Sequence, residues 1–389
     1  MLSALCFDTL LSLIIPRRFK KFIICDIFYK RLTPSLENGV TFRLIMAKIC
    51  ILGGGLVGHF VAQTLFERDH SIRLIDSQQI NGLPKQIEFI QSMVETDSVK
   101  QMVSGFEVVV NCLPGRIGHA VRAPLLSCQG MLVADLAFTL EDPRELNQLA
   151  IDNNSTMIYD VGIAPGLSNA LLMDAQCDFP SLQSAKIWVG GNPQKPDDEW
   201  SYMAPFSPSD VIEEYTRPAR IRRAGVNVTE QPLTERHAVS VPGYGQMEAF
   251  LTDGLRSLLD TIHCDELLEY TVRWPGHIEH YLSGNFSEDE LINAWKFDQD
   301  RPEFTWLSIE TVSEQGKRRW DIIDEGKDGW SSMARTTGLV TVEVAEMLAE
   351  GQIKQSGIMP PEILGQSKQL LDRLTTAMSD NGVRITRSD

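Results

Sequence analysis

The stretch Gly53-Gly54-Gly55-Leu56-Val57-Gly58 restricts the possible folds of this chain more than any other. It follows the apolar run 49–52 and leads into Val57, Phe60, Val61 and Leu65, which repeat at helical spacing against polar Gln63, Glu67 and Arg68. A strand that ends in glycines and opens at once into a helix begins a β-α-β unit. Gly53 is expected to make the tight turn, Gly55 to let backbone approach a diphosphate, and Gly58 to allow close packing of helix on strand. The N–H groups that open the helix at Leu56 and Val57 lie at its positive end and suit an anion. Asp76 stands 23 residues beyond Gly53, where the next apolar run, 72–75, ends. A carboxylate there accepts hydrogen bonds from ribose hydroxyls and repels a 2′-phosphate, so the pattern predicts NAD rather than NADP. Arg73, three residues earlier, is expected to point elsewhere.

The same rhythm continues. Runs 87–90, 108–111, 131–134 and 156–159 are short and continuously apolar, with helical text between them. Strands of that kind are covered on both faces, and six of them predict a doubly wound parallel sheet. After Asp160 the text changes. Pro165-Gly166 breaks the chain, a helix is expected over 167–175, and strands over 185–189, 269–273 and 304–312. The last is expected to pair with 317–322 around Gln315-Gly316, giving a mixed or antiparallel sheet in a second, α+β domain. Val340, Val344, Met347 and Leu348 predict a helix that stops before Gly351.

In a doubly wound sheet, chain leaving the carboxyl ends of the strands lines the ligand crevice. Asn111-Cys112-Leu113-Pro114 is therefore expected along the nicotinamide side, and Pro165-Gly166 near the nicotinamide ribose. Asp135 and Asp160 follow strands five and six and are candidate carboxylates beside a substrate amine. Cys112 reads as a packing residue, because a free cysteine behaves as a small hydrophobe and no histidine is placed beside it by spacing. His277, in Pro275-Gly276-His277, is the candidate titratable group, since an imidazole with a pKa near ~6.5 suits proton transfer around neutrality.

Composition excludes several other classes. A formal charge of −16 over 389 residues argues against a nucleic-acid partner. No apolar run is long enough to span a membrane. Seven scattered cysteines without a C-x-x-C pair, and seven histidines without H-E-x-x-H, fit reduced thiols in a cytoplasmic protein and predict no metal site. Residues 1–45 differ from the rest, with seven Lys/Arg against three Asp/Glu. Their apolar run 10–15 precedes the basic run 17–21, the reverse of a signal peptide. They are expected to be an upstream extension outside the fold, with Met46 as the start.

Tyr159-Asp160-Val161-Gly162-Ile163-Ala164-Pro165-Gly166-Leu167-Ser168-Asn169 resembles the D-x-G-x-A-P-G-x-x-N stretch of the saccharopine dehydrogenase-like enzymes. The branch it resembles holds L-lysine 6-dehydrogenase and saccharopine reductase. Val189-Gly190-Gly191-Asn192-Pro193, Glu214-Tyr215-Thr216-Arg217-Pro218-Ala219, Met247 to Gly254, Tyr270 to Glu279, Met333-Ala334-Arg335-Thr336-Thr337 and Gly357 to Glu362 resemble further family stretches in order. The resemblance implies an NAD-binding Rossmann domain over 46–165, a substrate and dimerisation domain over 166–335, and a C-terminal helical segment over 336–389 that returns to the first domain. Arg335 is expected to hold that segment. Two positions depart from the family pattern: Ser92 stands where an aspartate often closes strand three, and Asp253-Gly254-Leu255-Arg256 replaces a Gly-Gly pair.

The reaction implied by the resemblance oxidises a C–N bond of an amino acid. Hydride passes to NAD from the carbon bearing the amine, and the imine is hydrolysed to an aldehyde. Such chemistry calls for a carboxylate clamp, a role that the planar fork of an arginine fills. Arg217 and Arg256 are the candidates, with Tyr215, Thr216 and Thr252 as hydroxyl-bearing neighbours. Oxidation of the lysine side-chain amine is the leading expectation, with a saccharopine reductase or carboxynorspermidine dehydrogenase as the alternative. An NAD(H)-binding regulatory protein without turnover is the alternative of another class. A homodimer or higher homo-oligomer is implied by the family's second domain.

Overall fold

Strand β1 (Lys48–Leu52) enters α1 (Leu56–Glu67) through the glycine turn, and β2 (Ser71–Asp76) and β3 (Glu88–Gln91) follow. The structure is a computed structural model that describes residues 46–179 and 181–389; the expectation for 1–45 falls outside the described residues. A short α2 (Val99–Met102), then β4 (Val108–Asn111), α3 (Gly115–Leu126), β5 (Leu132–Asp135), α4 (Asn147–Asp152) and β6 (Thr156–Tyr159) complete six parallel strands in the order 3-2-1-4-5-6. Alternation along β1 explains why both faces are covered. Ile49 and Ile51 pack with Phe60, Val61 and Leu65 of α1, while Cys50 and Leu52 pack with Val121 and Leu125 of α3. Each such aliphatic side chain, fully buried, contributes roughly 1.5–3 kcal/mol.

Chain order then builds the second sheet. It runs α5 (Leu167–Asp178), β7 (Leu182–Pro193), α6 (Pro208–Thr216), β8 (Ala219–Arg223), β9 (Val226–Glu230), β10 (His237–Val241), β11 (Gly245–Leu251), α7 (Leu258–Thr261) and β12 (Cys264–Arg273). Helices α8 (His277–Ser283) and α9 (Glu288–Ala294) and the hairpin β13 (Glu303–Ser313) and β14 (Lys317–Asp324) follow. The sheet is mixed: β12 and β7 are parallel, and the other neighbours are antiparallel. The hairpin pairs Val312 with Lys317, as the sequence predicts.

The last part of the chain holds α10 (Ser332–Ala349), β15 (Gly357–Met359), α11 (Glu362–Gln366), α12 (Lys368–Asp380) and β16 (Arg384–Ser388). It is not only helical. β15 adds a seventh parallel strand beside β6, and β16 pairs with β14 in the second sheet. The expected boundary at 335/336 also cuts through α10. That helix is buried on nearly every residue from Ser332 to Leu348, because it packs on α1, β4 and β5 on one side and on β13 and β14 on the other. Gly338 makes this possible: a Cβ there would lie 2.4 Å from the Phe60 ring, so α10 meets α1 only at a glycine. Arg68 donates to Glu343 and Glu346 at 2.6 and 2.8 Å, and Arg373 of α12 pairs with the same two carboxylates. Arg335 donates to the Asn381 carbonyl at 2.6 Å and pairs with Asp324 at 2.7 Å, which ties the end of the chain to α10.

Candidate active site

A cavity of about 570 Å³ lies where β1, β4 and β6 of the first sheet end, with β7, β12 and α10 opposite. At one end stands the glycine turn. Gly53 has φ +93, a left-handed conformation that glycine adopts without strain. A Cβ on Gly58 would lie 1.9 Å from the Gly53 carbonyl, so helix and turn touch there. Gly55 has no atom within 4 Å of a Cβ position and faces open space, and its side of the helix start carries no side-chain cap. The first N–H groups of α1 are thus left for an outside acceptor. Asp76 accepts from Gly54 N at 2.6 Å and from Gln78 N at 2.7 Å, which aims its carboxylate along the turn. Each oxygen keeps capacity for one more donor. These residues fit a dinucleotide: an open glycine cradle, a bare helix start and a fixed carboxylate. Arg73 points away, forked on Glu88 at 2.9 and 3.0 Å.

The other end is acidic. Glu214, Asp253, Glu269 and Asp160 line it, with Arg273 as the cation on the wall. Asp253 is gripped by Arg220 through two bonds of 2.8 Å. Asp160 pairs with Arg256 at 2.9 Å, and both residues hold a left-handed backbone at φ +56 and +53. Two non-glycine residues in that region mark stored strain, as functional sites often do. Glu214 accepts from the Thr271 hydroxyl. Glu269 is 4% exposed and lies on the inner strand β12. Burial, with Glu214 and Asp253 close by, pushes its carboxyl well above the usual carboxylate range. Among the described residues no group of acids, histidines and cysteines could hold a metal ion.

Of the residues singled out in sequence, the cavity wall gathers Gly53, Gly55, Leu56, Val57, Gly58, Asp76, Cys112, Leu113, Pro114, Asp160 and Pro165. Asn111 and Gly166 stand just behind it. Asn111 donates to the Gly118 carbonyl and to Asp135, and its own oxygen accepts from Leu113 N. Gly166 packs against the Gly162 backbone, which a Cβ would meet at 2.0 Å. Burial raises the Cys112 thiol to about 12, in line with a packing role.

Several candidates lie elsewhere. Asp135 is fully buried beneath the crevice, where Arg122 grips it at 2.9 and 3.1 Å and Ala137 N donates at 2.9 Å. It props the loop after β5 instead of facing a substrate. Arg256 is committed to Asp160 and the Thr139 carbonyl, which leaves no fork for an incoming carboxylate. Thr216 bonds back to the Ile212 carbonyl on the exposed end of α6, and Thr252 pairs with Thr271 behind the wall at 2.9 Å. His277 does not reach the cavity. It sits among Trp200, Tyr202, Tyr215 and Trp295, with Nδ1 on the Trp200 carbonyl at 2.9 Å and Nε2 on the Tyr215 hydroxyl at 3.0 Å. Burial and Arg273 push its pKa down to about 3, so it is a neutral prop and not a group that titrates near neutrality. Tyr215 receives Arg273 Nε at 2.9 Å, so Tyr215 and His277 hold the cavity's arginine from behind. Arg217 lies over the Phe138 ring, which lines the cavity; its Nη1 makes no hydrogen bond among the described residues and stands 3.9 Å from Asp253 Oδ2.

Glu269, Glu214, Asp253 and Arg273 were not anticipated as site residues. One signal was available for Glu269: a lone charge in the apolar run Leu267-Leu268-Glu269-Tyr270 belongs on a buried strand only if something needs it there.

A parallel sheet wound 3-2-1-4-5-6, a glycine cradle at its switch point and a second mixed sheet closing the crevice define a two-domain protein of the dinucleotide-fold class. Residues 162–382, more than half of the chain, match the family model for the saccharopine dehydrogenase C-terminal domain. The chain belongs to the saccharopine dehydrogenase family. Two curated relatives are mitochondrial alpha-aminoadipic semialdehyde synthases. The one from Rattus norvegicus is 24% identical over 289 residues, covering 67% of this chain and 30% of that protein. The one from Bos taurus is 23% identical over 373 residues, covering 87% of this chain and 39% of that protein. The chain thus spans well under half the length of either. Apo saccharopine dehydrogenase (L-Glu forming) from Saccharomyces cerevisiae superposes with a TM-score of 0.67 at 15% identity, over 88% of this chain and 100% of that one, a likeness of fold. No helix among the described residues is long and apolar enough to cross a membrane.

Proposed function

We propose that the protein is an NAD-dependent dehydrogenase that oxidises a C–N bond of a cationic amino acid, with the side-chain amine of lysine as its substrate. The observation that carries this reading is the acidic wall facing the glycine cradle across one cavity. Bound NAD would supply the hydride acceptor. Gly53, Gly55, Leu56, Val57 and Gly58 would hold its diphosphate, Asp76 its adenosine ribose, and Cys112, Leu113, Pro114 and Pro165 its nicotinamide half. Glu214 and Glu269 attract an ammonium and exclude excess negative charge, while Asp253 is already paired with Arg220. Arg217, whose Nη1 makes no hydrogen bond among the described residues, would receive a single carboxylate over the Phe138 wall, and Arg273, braced on Tyr215, Tyr202 and the Val272 carbonyl, adds positive charge there. That charge pattern suits lysine, or a carboxylated polyamine such as carboxynorspermidine, better than the more acidic saccharopine. The protein acts on a small molecule, with neither nucleic acid nor membrane as partner, in the cytoplasm and as a homodimer or higher homo-oligomer.

The test is a panel of lysine, saccharopine and carboxynorspermidine, each with NAD and with NADP, followed by absorbance of the reduced cofactor. Reduction of NAD with lysine at the highest kcat/KM is expected. Binding of NADH with no turnover of any amine would instead favour a nucleotide-sensing protein.

A further inference from the structure

The acids on the cavity wall are not equivalent. Asp253 is neutralised by Arg220, Asp160 by Arg256, and Glu214 accepts from Thr271. No side-chain hydrogen bond holds the Glu269 carboxyl among the described residues, although it is 4% exposed and borders the cavity; beside it, Asp160 Oδ1, which Arg256 does not reach, is likewise without a partner. Gly254 shapes this arrangement: a Cβ there would lie 2.1 Å from Glu269 Oε1, so the carboxyl rests directly on backbone and is directed by it. An unpaired buried carboxyl is costly, and a side chain that stays so is waiting for a ligand donor or holding a proton.

We infer that Glu269 takes the proton from the substrate's ammonium, so that the cavity admits the amine as a cation and presents it neutral for oxidation. The inference deepens the functional reading above and rests on it for the oxidant. The chemistry requires this step. An ammonium nitrogen has no lone pair, and without one it cannot stabilise the positive charge that develops as the C–H electron pair leaves for the nicotinamide. Any proton already on Glu269 first leaves to solvent as the ammonium enters; then one N–H bond breaks with its electron pair kept by nitrogen, one O–H bond forms on the Glu269 carboxylate, and the net charge of the cavity is unchanged in that transfer. As the C–H pair departs, the freed lone pair forms the C=N bond. The groups facing Glu269 suit it to hold a proton. Glu214 of α6, Asp253 after β11 and Asp160 after β6 all disfavour its anion, and Arg256 alone among its main neighbours opposes them. A carboxyl raised in this way is also a better match to an ammonium than an ordinary one.

The inference is tested on binding as well as on turnover. Because the carboxyl is raised, the fraction of Glu269 that holds a proton before lysine arrives gives it up to solvent as the ammonium enters, so lysine binding releases protons that depend on this residue. Calorimetric titration of lysine into the full-length protein with NADH present, at neutral pH in phosphate and in Tris, reads that proton from the difference in heats. More protons released per lysine by the wild type than by Glu269→Gln is expected, with kcat in the variant lowered about 10²–10⁴-fold. Gly254→Ala keeps the carboxyl but displaces it, and is expected to lower turnover at least about tenfold while NADH still binds. Equal proton counts in wild type and Glu269→Gln, or full turnover in Gly254→Ala, would overturn the inference. Lysine binding with proton release but without any NADH binding would support Glu269 and sink the dehydrogenase reading. NADH binding without lysine binding would do the reverse.

Discussion

Replacing Asp76 by alanine separates two contributions that its carboxylate makes to one cofactor. The bonds from Gly54 N and Gln78 N, at 2.6 and 2.7 Å, brace the turn whichever dinucleotide arrives, so their loss weakens NADH and NADPH alike. The free lone pairs act differentially. A hydrogen bond from a ribose hydroxyl to a charged acceptor contributes about 1.5–3 kcal/mol, and only NADH can offer the full set. Against NADPH the same carboxylate is repulsive: two unit charges roughly 5 Å apart at an effective dielectric of about 20 cost about 3 kcal/mol, less with screening by salt. Asp76→Ala should therefore shift the ratio of the two dissociation constants by at least roughly 3 kcal/mol, about a hundredfold or more toward NADPH. Titration of NADH and NADPH fluorescence at about 0.15 M salt, where the Debye length is ~8 Å, measures both constants in wild type and variant. If both rise by the same factor, Asp76 only braces the turn and the ribose assignment is wrong.

Asp135→Asn leaves the Arg122 guanidinium, which has no solvent exposure, without its counter-charge, and should cost about 3–5 kcal/mol in urea unfolding. A loss below about 1 kcal/mol would mean that Ala137 and Thr139 satisfy Arg122 alone. Arg217→Ala should raise KM about tenfold for amines that carry a carboxylate, the size of one lost charged hydrogen bond, and leave the corresponding diamine unaffected; an unchanged KM removes Arg217 from the site. Glu303, buried beside Ser332 at the start of α10, has its carboxyl raised from 4.5 to about 7. Because the folded value exceeds the unfolded one, the stabilisation is complete below about pH 4.5 and is lost as pH rises through about 7, for a total near 3 kcal/mol. Glu303→Gln should flatten that part of the stability profile, and parallel profiles for the two proteins would refute the assignment.

The dinucleotide end of the site was legible because everything it needs is local. Gly53 to Gly58 and Asp76 belong to one β-α-β unit, and the strand and helix that flank the turn announce themselves by apolar period alone. The substrate end is assembled from β7, α6, the turn after β11, β12 and α10, whose adjacency is a matter of sheet order, and sheet order is not written in local pattern. His277 shows the cost of reasoning from residue type: an imidazole is a proton carrier only where water or a partner lets it charge, and the aromatic cluster between α6, α8 and α9 denies it both. Glu269 shows the converse. Glutamate in solution is a poor partner for an ammonium's proton, and only a strand with neighbours on both sides and acids on either flank makes it a good one. β12 lies between β11 and β7, so from Leu267 to Arg273 its side chains are carried to the interior whether or not they are apolar. A charge placed there is destabilising for the fold unless the cavity receives a ligand of opposite sign. The burial that disfavours the Glu269 anion in the empty protein is therefore what gives the cavity its preference for a cationic amine.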